Sequence, residues 1–391
     1  MNRTRLSFSA STFLVLTTIL FFYEIVAIIG AYYIDLKGSG VDAAKFHELA
    51  VKWAENPQLS VNFGVQAYTQ LLGFVYMLFG SSQFIGAQLS IVVILITAYK
   101  MCSFLYSQGV RNMGWVVLIV FLWPSILLRS ATTMREPLLI LATTYLVLSF
   151  AQYIQTGKLK HIFIAFMSGG LLFLFHKATG LITITILLTA FIYSTLFLRV
   201  SLQNQTIFFL SLIFFATSAF LFVQNFSDLR EMRVLTAIID GDVIGINTML
   251  ESKYEKAKVF SRASYDAPLL FSSPVDFVVS LIVSFYHYMF EPFPNKIRSV
   301  LDIYGFIEVV LRSVLMLYIC LSWKRLVPSQ RFMFMAYIAI SLVWSTGTTN
   351  YGTGSRHHIV GFWIIILLST IIFYCRKMQF ENNIKPSTTH G

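Results

Sequence analysis

The sequence predicts an all-α integral membrane protein with about ten transmembrane helices, and three observations predict it. Of 391 residues, 57% are hydrophobic and only 12% charged, whereas a soluble domain carries about 25% charged residues. Mean hydropathy is strongly positive. Several apolar runs reach the roughly 20 residues that a spanning helix needs, because lipid offers no partner to a backbone amide left outside a helix. Finally, many of the Lys and Arg behind the net charge of +11 sit in short breaks between apolar runs. That placement reports topology rather than a nucleic-acid partner.

Taken in order, the spans fall at 11–33, 84–105, 113–129, 137–154, 162–175, 181–198, 206–224, 299–322, 332–348 and 359–375. The first follows Arg3 and Arg5 and is too long for a signal-peptide core, so it reads as a retained helix. Two shorter runs, 65–80 and 275–290, are assigned to the interface, since counting only one as a span would invert the charge pattern between or beyond them. The cytoplasmic breaks then hold Arg3, Arg5, Arg111, Lys158, Lys160, Arg199, Lys324, Arg325, Arg331, Arg376, Lys377 and Lys385. The short outside breaks hold only Arg129, Arg135, Lys177 and Arg356. Both termini are therefore expected in the cytoplasm. Cys102, Cys320 and Cys375 lie near that side without metal-ligand spacing and read as reduced, structural thiols.

Two substantial segments remain outside. Within 35–83, Ala43, Phe46, Ala50 and Trp53 recur at helical spacing. They predict an interfacial helix over 42–55, with Asp42 at its N-cap and Pro57 beyond its end. The second segment, 225–298, opens with a mixed-charge stretch over 225–273 that reads as a small, partly helical lid. There is no internal repeat and no glycine loop of the kind that cradles phosphate.

Ionisable groups at membrane depth cost roughly 2.5–3.5 kcal/mol each on insertion scales, so their placement is informative. Here they gather at the outer ends of the spans. Asp42 is either a helix cap or a carboxylate held above the membrane on a rigid helix. Arg135 and Glu136 open a helix at Pro137, where backbone N–H groups and Arg135 suit an anion and Glu136 suits a cation or a basic side chain. His176 and Lys177 either bind phosphate or snorkel to the interface. The stretch 350–358 reads as a glycine-bearing polar loop offering Arg356 and His357 to a phosphate; zinc at His357 and His358 is the weaker reading. Glu24, Asp302 and Glu308 either mark an ion path or have structural places, Asp302 near the interface and the other two paired with buried polar neighbours.

The order of these elements resembles the GT-C class of membrane glycosyltransferases, relatives of the protein mannosyltransferases and lipid A aminoarabinose transferases. The likeness rests on an Asp opening the interfacial helix and on Leu78-Phe79-Gly80-Ser81-Ser82-Gln83. It continues through Trp123-Pro124-Ser125 and Thr133-Met134-Arg135-Glu136-Pro137. Glu291-Pro292-Phe293-Pro294 and Gly352-Thr353-Gly354-Ser355-Arg356-His357-His358 look like motifs of bacterial surface-polysaccharide members. The similarity is best over 1–155 and patchy beyond.

The resemblance implies an inverting transfer of a sugar from a polyprenyl-phosphate donor to an extracytoplasmic glycan or lipid-linked acceptor. Asp42 would be the general base, and Glu136 would hold the second acidic position. Arg135, His176, Lys177, Arg356 and His357 would hold the substrate phosphate. Many relatives carry a paired acidic motif where this chain has the single Asp42, so a divalent cation, held by Asp42 and Glu136 if at all, is open. Residues 1–155 would form the GT-C-like module, comprising the first four spans and the interfacial helices 42–55 and 65–80. Residues 156–375 would add further spans and the outer segment 225–298, and 376–391 would be a cytoplasmic tail. The expected setting is a bacterial inner membrane, with membrane lipids around the chain and the site on the periplasmic or extracellular side. Two alternatives stay open: a polymerase of lipid-linked repeat units, and a flippase of lipid-linked sugars, which should show internal repeats and polar residues at mid-membrane.

Overall fold

The computed structural model describes residues 10–34, 36, 40–58, 60, 62–110, 114–197, 263–265 and 273–384, with a few isolated positions between 206 and 255. The expected span 206–224 and most of the segment 225–273 lie outside the described residues, as do Arg3, Arg5, Arg111, Arg199 and Lys385. Among the described residues the chain is helical, without strands. Five of the described helices are long and apolar enough to cross a membrane. They are α1 (Ala10–Tyr32), α4 (Gln83–Ser107), α7 (Glu136–Thr156), α11 (Val300–Leu321) and the stretch Tyr351–Arg376 of α13 (Tyr351–Ile384). The chain is thus a helical membrane protein. The other helices are α2 (Gly40–Glu55), α3 (Val65–Phe79), α5 (Gly114–Phe121), α6 (Pro124–Ser130) and α8 (Leu159–Phe175). After them come α9 (Lys177–Phe197), α10 (Pro274–Phe290) and α12 (Pro328–Gly347).

In α1 the buried residues are Val15, Ile19, Tyr23 and Ala27, one every turn, while Phe13, Leu14, Phe21 and Ile25 are exposed. A helix with one buried stripe and an apolar remainder is solvated by lipid. The centre of the bundle is α7, which packs against α4, α8, α9, α12 and α13. Its side chains are buried from Glu136 to Tyr153 on most faces, so its apolar sequence serves the core rather than lipid contact. Gly157, at φ 65°, ends it in the left-handed conformation that favours glycine.

The expected single span 113–129 is broken. Pro124 has no N–H to continue a helix, so the chain restarts as α6 after Leu122 and Trp123. In an unbroken helix the N–H of Ser125 would meet the carbonyl of Phe121. Both groups instead find tyrosines: Ser125 N–H donates to the Tyr304 hydroxyl at 3.0 Å, and the Tyr23 hydroxyl donates to Phe121 O at 3.0 Å. Buried backbone groups freed from a helix ladder must find partners of this kind. Below the break, the Glu308 carboxylate of α11 accepts from Trp123 Nε1, Ser125 Oγ and Tyr304 Oη, each at 2.5 Å. Glu308 therefore ties α11 to α6. Glu24 accepts from Gln88 Nε2 at 2.9 Å, pairing α1 with α4.

Helices α2 and α3 form a packed pair. Gly73 makes the close approach possible, since a Cβ there would lie 2.6 Å from Trp53 Cε3 and 3.0 Å from Ala50 O. His47 Nδ1 lies 2.8 Å from the Tyr76 hydroxyl and joins the two helices at their polar edge, and burial lowers the His47 pKa. Ala43, Phe46 and Ala50 are buried as their spacing predicts. Asp42, however, is not the cap. The helix already includes Gly40, which puts Asp42 in its first turn with the carboxylate free to bind elsewhere.

Candidate active site

Each functional side chain is held by a local device. The turn between α6 and α7 is pinned from two directions. Thr133 Oγ1 donates to Ala43 O at 2.9 Å, and Ser90 Oγ donates to Thr132 O at 2.8 Å. These bonds fix α2, α4 and the start of α7 as one unit and set Asp42 beside Glu136. Arg135 is held by a long bond from Nη1 to Phe175 O, 3.4 Å, and by the Phe46 ring, 6.0 Å from its guanidinium carbon.

The third contributor overturns an expectation. Residues 351–358, read from sequence as a flexible loop, are the opening turns of α13. Side chains, not loop backbone, do the presenting there. Gly354 is required for packing: a Cβ would sit 2.3 Å from the Tyr265 hydroxyl. From this helix the Arg356 guanidinium bridges two carboxylates, with Nε on Glu136 and Nη1 on Asp42. Asp42 and Arg356 are 314 positions apart in sequence. The three accessibilities differ sharply, at 44% for the Asp42 side chain, 18% for Arg356 and 5% for Glu136. Asp42 is the carboxylate a solvent-borne or lipid-borne group can reach, and Glu136 is the buried anchor.

Around this triad is a cavity of about 180 Å³, lined also by Lys45, Phe46, Arg135, His176, Trp344 and His357. Trp344 stacks on His357 with ring centres 3.8 Å apart and meets His176 edge-on at 5.2 Å. His357 Nδ1 lies 2.7 Å from Thr348 Oγ1. Burial first, then Arg135 and Arg356, push the His176 pKa down to about 3. His176 is thus a neutral imidazole at pH 7, a hydrogen-bonding group and not a cation. Burial likewise lowers the Arg135 pKa, and nearby Glu136 opposes that shift. Four buried polar atoms on residues lining the cavity have no hydrogen-bond partner: Glu136 Oε2, Arg135 Nε, His176 Nδ1 and Trp344 Nε1. Unsatisfied groups of this kind, gathered on one cavity, mark a place built for a ligand.

Of the residues expected from sequence, Asp42, Arg135, Glu136, His176, Arg356 and His357 meet here. Lys177 opens α9, but its side chain lies outside the described residues. Sequence reading missed Lys45 and Trp344. Lys45 carried a signal, since it stands three residues after Asp42 on one helix face. Trp344 carried none within an apolar run. His358 points away from this cavity, its Nε2 2.9 Å from Tyr288 O. Among the described residues no group of three or more His, Cys, Asp or Glu side chains could hold a metal. Arg356 occupies the space between Asp42 and Glu136, so the donor set does not fit a divalent cation as arranged. A scan of protein-family models and searches of curated proteins and of solved structures find no match to this chain.

Proposed function

We propose that the chain is an inverting membrane glycosyltransferase of GT-C type that moves a sugar from a polyprenyl-phosphate donor to an extracytoplasmic glycan or lipid-linked acceptor. The observation that carries this reading is the Asp42–Arg356–Glu136 triad, with Arg135 and Lys45 in the same cavity. An accessible carboxylate beside a cluster of cations is what attack on a glycosyl phosphate needs.

In the reaction, an acceptor hydroxyl attacks the anomeric carbon as the bond from that carbon to the phosphate oxygen breaks. The hydroxyl proton passes to Asp42. Polyprenyl phosphate leaves as an anion, so no general acid of the glycosidase kind is required. Arg356, Arg135 and Lys45 offset its charge. Arg356 has a second task. It is engaged with Asp42 at rest, and an arriving phosphate competes for the guanidinium, loosening that contact and freeing the base for the hydroxyl. Single in-line displacement inverts the anomeric centre.

The topology proposed with this function has ten spans, with α2, α3 and α10 along the interface. Both termini are cytoplasmic, and the site lies on the outer face of a bacterial inner membrane. Repeat-unit polymerisation is a second reading, supported by a further cavity, largely apolar with charged side chains in its wall, across α13 from the first. One experiment separates the readings. The gene is deleted, then complemented with wild type or Asp42→Asn at matched levels, and surface glycan and lipid-linked precursors are weighed by mass spectrometry. Loss of one sugar in deletion and variant alike supports the transferase, and single repeats in place of long chains support the polymerase. Complete precursor accumulating inside points to a flippase. An unchanged glycan with Asp42→Asn removes Asp42 as the base.

A further inference from the structure

On the far side of α13 from Arg356 lies the second cavity, about 240 Å³, walled by α6, α11, the chain after α10 and the first turns of α13. Its chemistry is the reverse of the first. Three carboxylates line it, Glu291, Asp302 and Glu308, against two guanidiniums, Arg129 and Arg312, whereas the first cavity sets three basic side chains against two acidic ones. Arg312 is already engaged, with Nε donating to Met289 O at 3.2 Å. Glu291 is held on one oxygen only. Its Oε1 is 2.5 Å from His287 Nδ1 and accepts from Lys296 Nζ at 2.9 Å, while Oε2 is buried without a partner. The Glu291 side chain has no accessible surface. Two more buried atoms on this cavity are unpartnered: the Tyr265 hydroxyl and Arg129 Nη1, whose Nη2 donates to Ser355 Oγ at 2.7 Å. A buried polar group left unpaired is destabilising, so three on one cavity favour a ligand with matching donors and acceptors. The rim includes Leu301, which is 61% exposed, and Leu128, 37% exposed.

The geometry points to a second ligand site that takes a polyhydroxylated, uncharged headgroup carried on an apolar tail. Hydroxyls donate to Glu291 Oε2 and accept from Arg129 Nη1 and Tyr265, the tyrosine rings of Tyr304 and Tyr351 flank the sugar ring, and the tail leaves over Leu128 and Leu301. The unpaired carboxylate oxygen Glu291 Oε2 can only accept a hydrogen bond, so it disfavours a phosphate or sulfate oxygen in its place. The assignment stands on this cavity's own residues and holds whether or not the first cavity transfers a sugar.

The test uses the full chain in phosphatidylcholine nanodiscs, titrated with octyl β-D-glucoside below its micelle concentration and followed by saturation-transfer NMR. Octyl sulfate serves as the control of equal tail length. Saturable glucoside binding is expected, and excess octyl sulfate should not displace it. Glu291→Gln should weaken it about tenfold or more, the loss of a hydrogen bond to a charged acceptor. Tyr265→Phe should weaken it less, and Asp42→Asn, at the first cavity, should leave it in place. Since Glu291→Gln removes the partner of Lys296 and can compromise folding, Tyr265→Phe and Arg129→Gln give the same reading from neutral and cationic walls. The inference is overturned by non-saturable binding, by displacement with octyl sulfate, or by binding that survives all three substitutions. It is also overturned by loss in Asp42→Asn alone, which would seat the glucoside in the first cavity. The transferase reading fails separately, through an unchanged glycan in the Asp42→Asn strain.

Discussion

The two cavities share the opening turns of α13 as a common wall, and neighbouring residues face opposite ways. Arg356 and His357 line one cavity, and Ser355 and His358 line the other. The first has a surplus of basic side chains and a resting ion-pair triad at its centre. The second has a surplus of carboxylates, one of them half satisfied, and an apolar rim. One helix end thus separates the proposed anion site from the proposed hydroxyl site, at about 100° of helical rotation per residue. The contrast teaches that charge identity along a helix is read locally, cavity by cavity, and not from the charge of the whole outer face.

Four perturbations would break or sharpen that contrast. The largest effect is expected for Asp42→Asn, which should cut transfer by about 10²- to 10⁴-fold, as loss of a general base does. Its unfolding temperature should stay close to wild type, because Asp42 is nearly half exposed. A radiolabelled-donor turnover assay beside a thermal melt checks both. Arg356→Ala comes next. It strands Glu136, 5% exposed, without its guanidinium, and leaving a buried charge uncompensated costs about 3–5 kcal/mol. Urea titration in detergent measures the loss, and Arg356→Lys should recover part of it.

The third is a pH effect. The folded-state pKa of His176 lies near 3, below its ordinary value of 6.5. Below 6.5 the unfolded chain binds a proton that the folded chain refuses, so stability falls as pH drops from 6.5 toward 3. The slope reaches about 1.4 kcal/mol per pH unit from this one group. Melts across that window should flatten in His176→Asn, and an unchanged slope would remove His176 as its source. The smallest change is expected for Lys45→Gln, an exposed cation at the first cavity's edge. Exposed charges contribute about 1 kcal/mol or less, so farnesyl phosphate should bind no more than about fivefold weaker. The deficit should fade in high salt.

Composition, apolar runs and basic breaks made the membrane class legible, because hydropathy is additive along a chain. The placement of Asp42, Glu136 and Arg356 near helix ends was legible for the same reason, since ionisable groups are driven away from the middle of apolar runs. Their direct contact was not, because nothing local links residues 314 positions apart. The break before α6 escaped the hydropathy reading, which treats Pro124 as one more tolerated residue and does not foresee Tyr23 and Tyr304 taking up the freed backbone groups. The glycines of 351–358 suggested a loop, yet Gly354 is there to admit a tyrosine against a helix. The second cavity leaves no trace in spacing, since Asp302 and Glu308 read as candidates for an ion path while Glu291 reads as part of a separate proline motif.

The length of α13 bears on how a lipid substrate arrives. Its 34 residues make a rod roughly 51 Å long at 1.5 Å per residue, against about 30 Å of hydrocarbon. In the proposed orientation, the polar turns from Tyr351 to His358 stand at headgroup depth while the apolar stretch from Ile359 fills the acyl layer. A carrier lipid would then meet Arg356 by lateral diffusion within its own leaflet, its chain still among its neighbours. No step of the cycle would have to lift a polyprenyl tail out of the bilayer.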